Sequence, residues 1–161
     1  MDTASLLTFV QESLYLIIVF CSCLAYALFA GRQSITNLIL GLYLALLISL
    51  EFPFYDVILS GTNNEQTKSI LMLIVFGAFT IAATVLFSRI LPREYSEKKF
   101  EAFGKKLLLA AAASVLIMAF SFHALPVTDI IHPGTPIQYL FGSEQSFFYW
   151  LLAPIAILFI T

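Results

Sequence analysis

The sequence predicts an all-α integral membrane protein, a polytopic bundle of four transmembrane helices with a short fifth membrane helix at the C-terminal end. Three observations predict this fold class. The 161 residues are 60% hydrophobic and 11% charged, whereas soluble domains are about 45–50% apolar and about 25% charged. The apolar residues form long runs, and most basic residues lie in one loop between two of these runs. We therefore expect residues 1–161 to form a single transmembrane domain.

The basic loop, residues 92–106, orients the predicted topology. Together with neighbouring Arg89 it contains six of the eight Lys and Arg residues, and it separates the apolar runs 70–91 and 107–122. Each run is close to the roughly 20 residues that cross a hydrocarbon core about 30 Å thick. Lys and Arg accumulate in short cytoplasmic loops because cations resist translocation and are attracted by anionic lipid. We therefore expect this loop to lie in the cytoplasm.

Two earlier apolar runs, 14–30 and 35–51, predict the first two transmembrane helices. Residues 31–34 between them are too few for anything but a tight turn, which makes the two helices an antiparallel hairpin. Ser34 is expected to cap the second helix through its hydroxyl group. Pro53 is expected to end that helix, because proline has no N–H with which to continue the hydrogen-bond ladder.

The second half of the chain begins with a predicted solvated turn at residues 60–68, before the runs at 70–91 and 107–122. Residues 123–146 contain three prolines yet remain apolar. Irregular backbone beside a membrane needs its amide groups satisfied, so this segment is predicted to fold over the outer helix ends as a cap. Residues 147–161 then predict the fifth membrane helix, opening with an aromatic belt. Fifteen residues barely reach across a bilayer, so full spanning is left open.

The ionisable residues divide between the two membrane faces in this topology. Arg32 and the six bases at residues 89–106 lie inside, whereas Lys68 alone lies outside. The N-terminus is therefore predicted outside and, with five spans, the C-terminus inside. Residues 1–13 contain no Lys or Arg, so they lack the basic region of a cleaved signal peptide and are expected to be retained. No charged residue falls in the middle of a span, which argues against a proton relay, an ion-coupled transporter or a voltage sensor.

Cys21 and Cys23 lie near the middle of the first predicted helix. Residues two apart on a helix point about 200° apart, so the two thiols cannot pair with each other. They are expected to act as small packing residues. A quinone-linked thiol oxidase needs a reactive cysteine pair at the outer face, so this class of enzyme is excluded.

An outer polar cluster is predicted from residues at the outer helix ends, namely Glu51, Asp56, His123, Asp129 and His132. Imidazole and carboxylate groups are ligands for zinc, but this spacing matches no metal motif. We therefore interpret these residues as solvated interface residues and predict no metal and no cofactor. The alternative is that they line the vestibule of a small transporter or channel subunit.

Small residues at four-residue spacing predict close helix packing. They lie on the second, third and fourth helices, at Gly41, Ala45, Ser49, Ala78, Ala82, Ala110 and Ser114. Such spacing lets helix backbones approach closely in lipid. These small residues could serve either of two roles. They could pack within the bundle, or they could contact a second copy or another membrane protein.

The basic loop has the pattern of a short amphipathic helix. Two Glu–Lys pairs are four residues apart, and aromatic and aliphatic residues share the opposite face. This pattern predicts a helix that lies at the inner interface and leads into the fourth span, with bases near anionic headgroups, namely Arg93, Lys98, Lys99, Lys105 and Lys106. The alternative is a solvated turn that needs no partner.

Residues 14–50, with the Gly-Arg turn at 31–32 and Gly-Leu-Tyr-Leu-Ala at 41–45, resemble the colicin V production protein family. These are small proteins of the bacterial inner membrane. The resemblance implies an accessory role in envelope export or homeostasis, and it implies no catalytic residue.

The sequence thus favours a non-enzymatic membrane accessory or scaffold subunit. Its expected partners are the lipid bilayer and other membrane protein subunits or further copies of itself, and not nucleic acid. The main alternative is the small transporter or channel subunit described above. A third hypothesis is a lipid-modifying enzyme with the outer His and Asp residues as its chemistry.

Overall fold

A computed structural model describes residues 3–61, 64–91, 99–123, 141 and 143–161, and within this part of the chain the fold is helical without strands. The described helices are α1 (Thr3–Ala30), α2 (Arg32–Leu50), α3 (Tyr55–Leu59), α4 (Glu65–Ile90), α5 (Lys99–His123) and α6 (Glu144–Ile160). The prediction of an all-α fold is confirmed for these residues.

In the described part of the chain, three helices are long and apolar enough to cross a membrane, over Arg32–Leu50, Thr67–Ile90 and Phe103–Phe122. Leu14–Ala30 and Ser146–Ile160 are shorter apolar helical stretches. The described residues therefore belong to a helical membrane protein. The predicted fourth full span and the predicted orientation stay predictions.

Hydrogen bonds show how α1 and α5 are paired. The Tyr15 hydroxyl lies 3.1 Å from Ser121 Oγ, and the Cys23 thiol is hydrogen-bonded with the Ser114 side chain. As the residue number rises along α1 it falls along α5, so the two helices are antiparallel.

The same argument makes α2 and α6 antiparallel. Arg32 donates to the main-chain oxygen of Thr161, and the Tyr43 hydroxyl donates to the main-chain oxygen of Leu151. The start of α2 therefore lies beside the end of α6. We call this the basic end of the bundle, formed by the residues around Arg32, Lys106 and Thr161. The opposite end holds the last residues of α2 and the first residues of α4.

The centre of the bundle is an aromatic cluster around Phe120, which is 1% exposed. The rings of Tyr43 and Phe76 meet Phe120 edge-on, with centroids 6.3 Å and 6.0 Å away. Phe147 of α6 lies 6.5 Å from the same ring. Edge-to-face pairs contribute about 0.5–1.5 kcal/mol each beyond area burial, so this cluster ties α2, α4, α5 and α6 together.

A second cluster lies toward the opposite end. Phe141 stacks on Phe122, with centroids 6.4 Å apart, and lies 5.0 Å from the Trp150 ring. The predicted aromatic belt at residues 147–150 is therefore divided. Phe148 and Tyr149 are exposed, whereas Phe147 and Trp150 pack against the two buried clusters.

The turn between α1 and α2 differs from the prediction in one respect. Gly31 alone makes the turn, with a φ of 92° that glycine adopts without strain. The helix begins at Arg32, and no side chain caps it. The expected Ser34 cap is therefore wrong, because Ser34 lies inside the first turn and its Oγ donates 2.8 Å back to Ala30 O.

Other helix boundaries agree in part with the predicted ones. α2 ends at Leu50 just before Pro53, as expected. α4 begins at Glu65, so the predicted turn at residues 60–68 is too long. The polar residues before the span are good helix formers and extend α4 outward.

α5 begins at Lys99 and runs without a break into the apolar span. Over residues 99–106 the predicted short helix that leads into the fourth span corresponds to the first turns of α5, and its place at the inner interface stays a prediction. The single Gly104 costs about 1 kcal/mol in a helix interior and does not end it. Residues 92–98 lie outside the described residues.

α6 begins three residues earlier than predicted. Ser143 caps it, because the Oγ accepts from Ser146 N at 3.2 Å. Pro154 lies inside the helix and is fully buried. The end of the predicted cap segment is therefore helical, and residues 124–140 and 142 lie outside the described residues.

Candidate functional site

The predicted outer polar cluster can be located only in part. Glu51 is exposed at the opposite end of the bundle, in the turn after α2. Asp56 lies on α3 and His123 ends α5, but their side chains lie outside the described part, as do Asp129 and His132 entirely. Among the described residues no group of three His, Cys, Asp or Glu side chains could hold a metal ion. The vestibule therefore stays a prediction.

The buried polar residues in the described part of the bundle are Asn37, Ser69, Ser114 and Ser121. Ser114 donates to Ala110 O at 2.7 Å, and Ser121 donates to Ile117 O at 2.8 Å. A serine hydroxyl that donates to the carbonyl four residues earlier satisfies itself within its own helix. These groups suit close packing of helices.

The predicted small-residue stripe of α2 lies mostly in the contact between α2 and α4, the most extensive helix contact of the bundle. Gly41 and Ala45 are buried. A Cβ atom added at Gly41 would lie 3.0 Å from Thr84 N and 3.2 Å from Thr84 Cα. The two backbones therefore approach so closely that only glycine fits. Ser49 lies elsewhere, with its Oγ 2.6 Å from the Tyr55 hydroxyl.

Two threonines on α4 complete this contact. Thr84 Oγ1 donates to Thr80 O at 2.7 Å, and Thr80 Oγ1 donates to Phe76 O at 2.9 Å. Both hydroxyl groups are therefore satisfied within α4. The contact between α2 and α4 is thus held by close packing.

Ala110 and Ser114 on α5 are buried, and so are Cys23 and Ala27 on α1. The structure brings these small residues together in the contact between α1 and α5, where the Cys23 thiol is hydrogen-bonded with Ser114. Cys21 is exposed on the other side of α1.

Ala78 and Ala82 lie on a different surface. Both are exposed, and a Cβ added at the neighbouring Gly77 would meet nothing within 4 Å. The same side of α4 carries large exposed residues, namely Ile70, Ile74, Ile81 and Val85. We call the exposed residues Ile70, Ile74, Ala78, Ile81, Ala82 and Val85 the outer face of α4. Ala78 and Ala82 therefore do not pack against other helices of the described bundle.

The predicted basic residues are also only partly described. Arg93 and Lys98 lie outside the described residues, and for Lys99 only the backbone is described. Lys105 and Lys106 are half-buried on α5. They lie at the basic end of the bundle, near the turn that carries Arg32.

The hydrogen bond from Tyr43 to Leu151 O connects the middle of two helices and was not expected from the sequence. Pro154 lies inside α6 and has no N–H to offer the carbonyl of Trp150, which directly precedes Leu151. Neighbouring helices commonly hydrogen-bond to backbone groups near such a proline in lipid. Neither the tyrosine within one apolar span nor the proline within another identifies this contact from the sequence.

No protein-family model matches the chain, and neither a characterised protein nor a solved structure shows significant similarity to it. The resemblance to the colicin V production protein family therefore stays a prediction. The function has to be argued from the helix surfaces.

Proposed function

We propose that this chain is a non-enzymatic accessory or scaffold subunit that associates, within the membrane, with another membrane protein or with itself. The observation that carries the proposal is the outer face of α4. Its centre is formed by Ala78 and Ala82, which are exposed. Small residues four apart let a second helix approach closely, so that dispersion and weak hydrogen bonds accumulate along the contact.

The residues around this centre fit the same use. Ile74 and Ile81 are 62% and 67% exposed. Branched side chains have one strongly preferred rotamer in a helix, so they lose little conformational entropy when a partner packs against them. α4 also buries the smallest share of its residues among the three long apolar helices, which leaves one long side available.

The filled interior is a second support. The aromatic cluster around Phe120 occupies the middle of the bundle, and the buried hydroxyl groups of Ser114 and Ser121 bond to their own helices. Such an interior suits a packing subunit better than a water-filled path.

The proposal includes a topology of five spans, with α1 and α6 as the shorter two, and with the N-terminus outside. Most cations among the described side chains lie at the basic end, namely Arg32, Arg89, Lys105 and Lys106, whereas Lys68 lies at the opposite end. The basic end is accordingly cytoplasmic. The proposed membrane is a bacterial inner membrane, and the proposed process is envelope export or homeostasis, as the family resemblance implies.

The test is association of the protein purified in mild detergent, measured by its mass and by the proteins that remain bound. Ala78→Ile and Ala82→Ile should release the partner or the second copy while the melting temperature stays unchanged, because neither residue packs in the bundle. Ala156→Ile is the matched control, since Ala156 is also an exposed alanine in an apolar helix, and it should retain association.

Two results would contradict the proposal. One is a wild-type protein that purifies as a monomer with nothing bound. The other is ion flux through proteoliposomes containing only this protein, abolished by Glu51→Gln, which would favour the transporter or channel hypothesis instead.

A further inference from the structure

The short helix α3 and the turn before it carry three exposed apolar side chains. Leu50, the last residue of α2, is 68% exposed, Phe54 in the turn is 58% exposed, and Val57 on α3 is 70% exposed. The main-chain oxygen of Phe54 accepts from Ile58 N at 3.0 Å, so Phe54 belongs to the first turn of this helix. Residues three apart share one side of a helix. Phe54 and Val57 therefore form one exposed apolar side.

Aromatic rings hold the turn against α4. The centroid of the Phe52 ring lies 5.1 Å from that of Phe79 on α4 and 5.6 Å from that of Phe54. The Tyr55 ring also contacts Phe52, and the Tyr55 hydroxyl lies 2.6 Å from Ser49 Oγ. Phe54 is therefore the exposed member of a packed aromatic group.

This segment lies at a depth where α4 is apolar. Gly41 lies against Thr84, and Phe52 contacts Phe79, so α2 and α4 are antiparallel. α2 ends nine residues after Gly41, which corresponds to residue 75 of α4, nine residues before Thr84. The apolar span of α4 continues eight residues beyond this level, to Thr67, or about 12 Å. α3 packs against α4 as well.

The same segment also carries groups that need water. Glu51 and Pro53 are exposed in the turn, and a carboxylate is costly at the centre of a bilayer. The first turn of a helix leaves N–H groups without partners inside that helix, and such groups are costly in hydrocarbon. Apolar and polar groups in one short segment fit the boundary between acyl chains and lipid headgroups, where aromatic residues are also enriched.

The exposed apolar side is continuous with the lipid-facing surface of α2. Leu47 lies one turn before Leu50 and is 63% exposed within the apolar span of that helix. We propose that α3 is an interfacial anchor, whose side chains Leu50, Phe54 and Val57 enter the acyl chains of the leaflet at the opposite end of the bundle. The partner is the lipid surface, and this inference does not depend on the proposed scaffold function.

The experiment measures quenching of tryptophan fluorescence by brominated lipid. The protein has one tryptophan, Trp150, so Phe54→Trp and Val57→Trp are each combined with Trp150→Phe. Each variant is reconstituted in phosphatidylcholine that carries bromine in the upper or in the lower part of its acyl chains. Both introduced indoles should emit at a shorter wavelength than in water. Both should lose more fluorescence with upper-chain bromine than with lower-chain bromine.

Gly61→Trp combined with Trp150→Phe is the matched control. Gly61 is exposed in the polar turn after α3, and an added Cβ there would meet nothing within 4 Å. This variant should emit as in water and keep its fluorescence with both brominated lipids.

A second measurement keeps Trp150 and its contact with Phe141. A nitroxide label is attached to Val57→Cys combined with Cys21→Ala, because Cys23 is buried. The label should collide more often with oxygen, which concentrates in lipid, than with a water-soluble nickel complex. The same label on Gly61→Cys should show the reverse.

Water-like emission without quenching for Phe54→Trp and Val57→Trp would overturn the proposal, because the segment would lie in solvent. A nitroxide on Val57→Cys that meets the nickel complex as often as one on Gly61→Cys would do the same. Stronger quenching by lower-chain bromine would place the segment in the hydrocarbon centre and contradict an interfacial anchor. Short-wavelength emission without quenching by either lipid would show that a second copy or another protein covers this side, which would also overturn the proposal.

Discussion

At the scale of single residues, Gly41 sets the distance between α2 and α4. A methyl group at this position would meet the backbone of Thr84 at 3.0 Å and 3.2 Å, and backbone cannot rotate away as a side chain can. We expect Gly41→Ala to reduce the free energy of unfolding by about 1–3 kcal/mol, the usual cost of overpacking. Unfolding in mixed detergent micelles measures this.

Gly77→Ala is the control, because an added Cβ there meets nothing within 4 Å. Alanine is favoured over glycine in a helix by roughly 0.5–1 kcal/mol, so this variant should be as stable as the wild type or more stable. Equal stability of Gly41→Ala and wild type would show that the two helices are not in close contact.

Tyr43 gives a second prediction at this scale. Tyr43→Phe removes the hydroxyl that donates to Leu151 O and leaves the ring that packs on Phe120. We expect a loss of about 0.6–1.7 kcal/mol, as for other hydrogen bonds between membrane helices. The same unfolding assay applies.

Tyr149→Phe should leave stability unchanged, since Tyr149 is 69% exposed. If Tyr43→Phe behaves like Tyr149→Phe, the hydrogen bond contributes nothing to the stability of α6.

The spacing of small residues located the contact side of α2 but not that of α4. Gly41 lies against Thr84 of α4 and Ala45 is buried, whereas Ala78 and Ala82 are exposed. α4 is apolar on all sides, so its sequence carries no periodic signal that separates a packed side from a lipid-facing side. The bond from Tyr43 to Leu151 was equally hidden, because it joins residues far apart in sequence.

At the scale of helices, local signals were reliable where they involve backbone chemistry. Pro53 has no N–H, and α2 ends before it as expected. The Ser34 cap failed because the turn uses only Gly31, which moved the start of the helix by two residues. The amphipathic spacing in the basic loop predicted a helix that leads into the fourth span, and over residues 99–106 this helix is the first turns of α5.

The continuity of α5 can be tested with proline. Gly104 lies six residues into α5, where proline removes a backbone hydrogen bond and clashes with the preceding turn. We expect Gly104→Pro to reduce the free energy of unfolding by about 3 kcal/mol. Hydrogen exchange at residues 105–108 should speed up in parallel.

Phe100→Pro is the matched control, because the first turn of a helix tolerates proline. If Gly104→Pro and Phe100→Pro are equally stable, α5 does not run unbroken through this region.

At the scale of the whole molecule, the distribution of cations predicts its orientation. Gly104 lies near the basic end and Gly61 lies near the opposite end. Both positions are exposed with open space around them, so each can be replaced by cysteine for labelling. A membrane-impermeant thiol reagent should label Gly104→Cys only from the cytoplasm and Gly61→Cys only from outside.

The wild type is the background control for this labelling, because Cys23 is buried and Cys21 lies within an apolar part of α1. Labelling with the two sides exchanged would reverse the proposed topology.

Composition and apolar runs predicted the class of the molecule, since few charges and long apolar stretches are compatible only with a membrane environment. They could not predict which helices are neighbours. α1 packs more against α5 than against α2, its partner in the hairpin, and this choice depends on small residues that lie far apart in sequence.

The unequal lengths of α2 and α4 have a consequence for the membrane around the protein. The apolar part of α4 has 24 residues and that of α2 has 19, which correspond to lengths of about 36 Å and about 28 Å. The turn after α2 packs on α4, where the centroid of the Phe52 ring lies 5.0 Å from that of Tyr55 and 5.1 Å from that of Phe79. No single bilayer thickness matches both helices, so the surrounding bilayer has to thin beside α2 or thicken beside α4, while packing against α2 sets the tilt of α4.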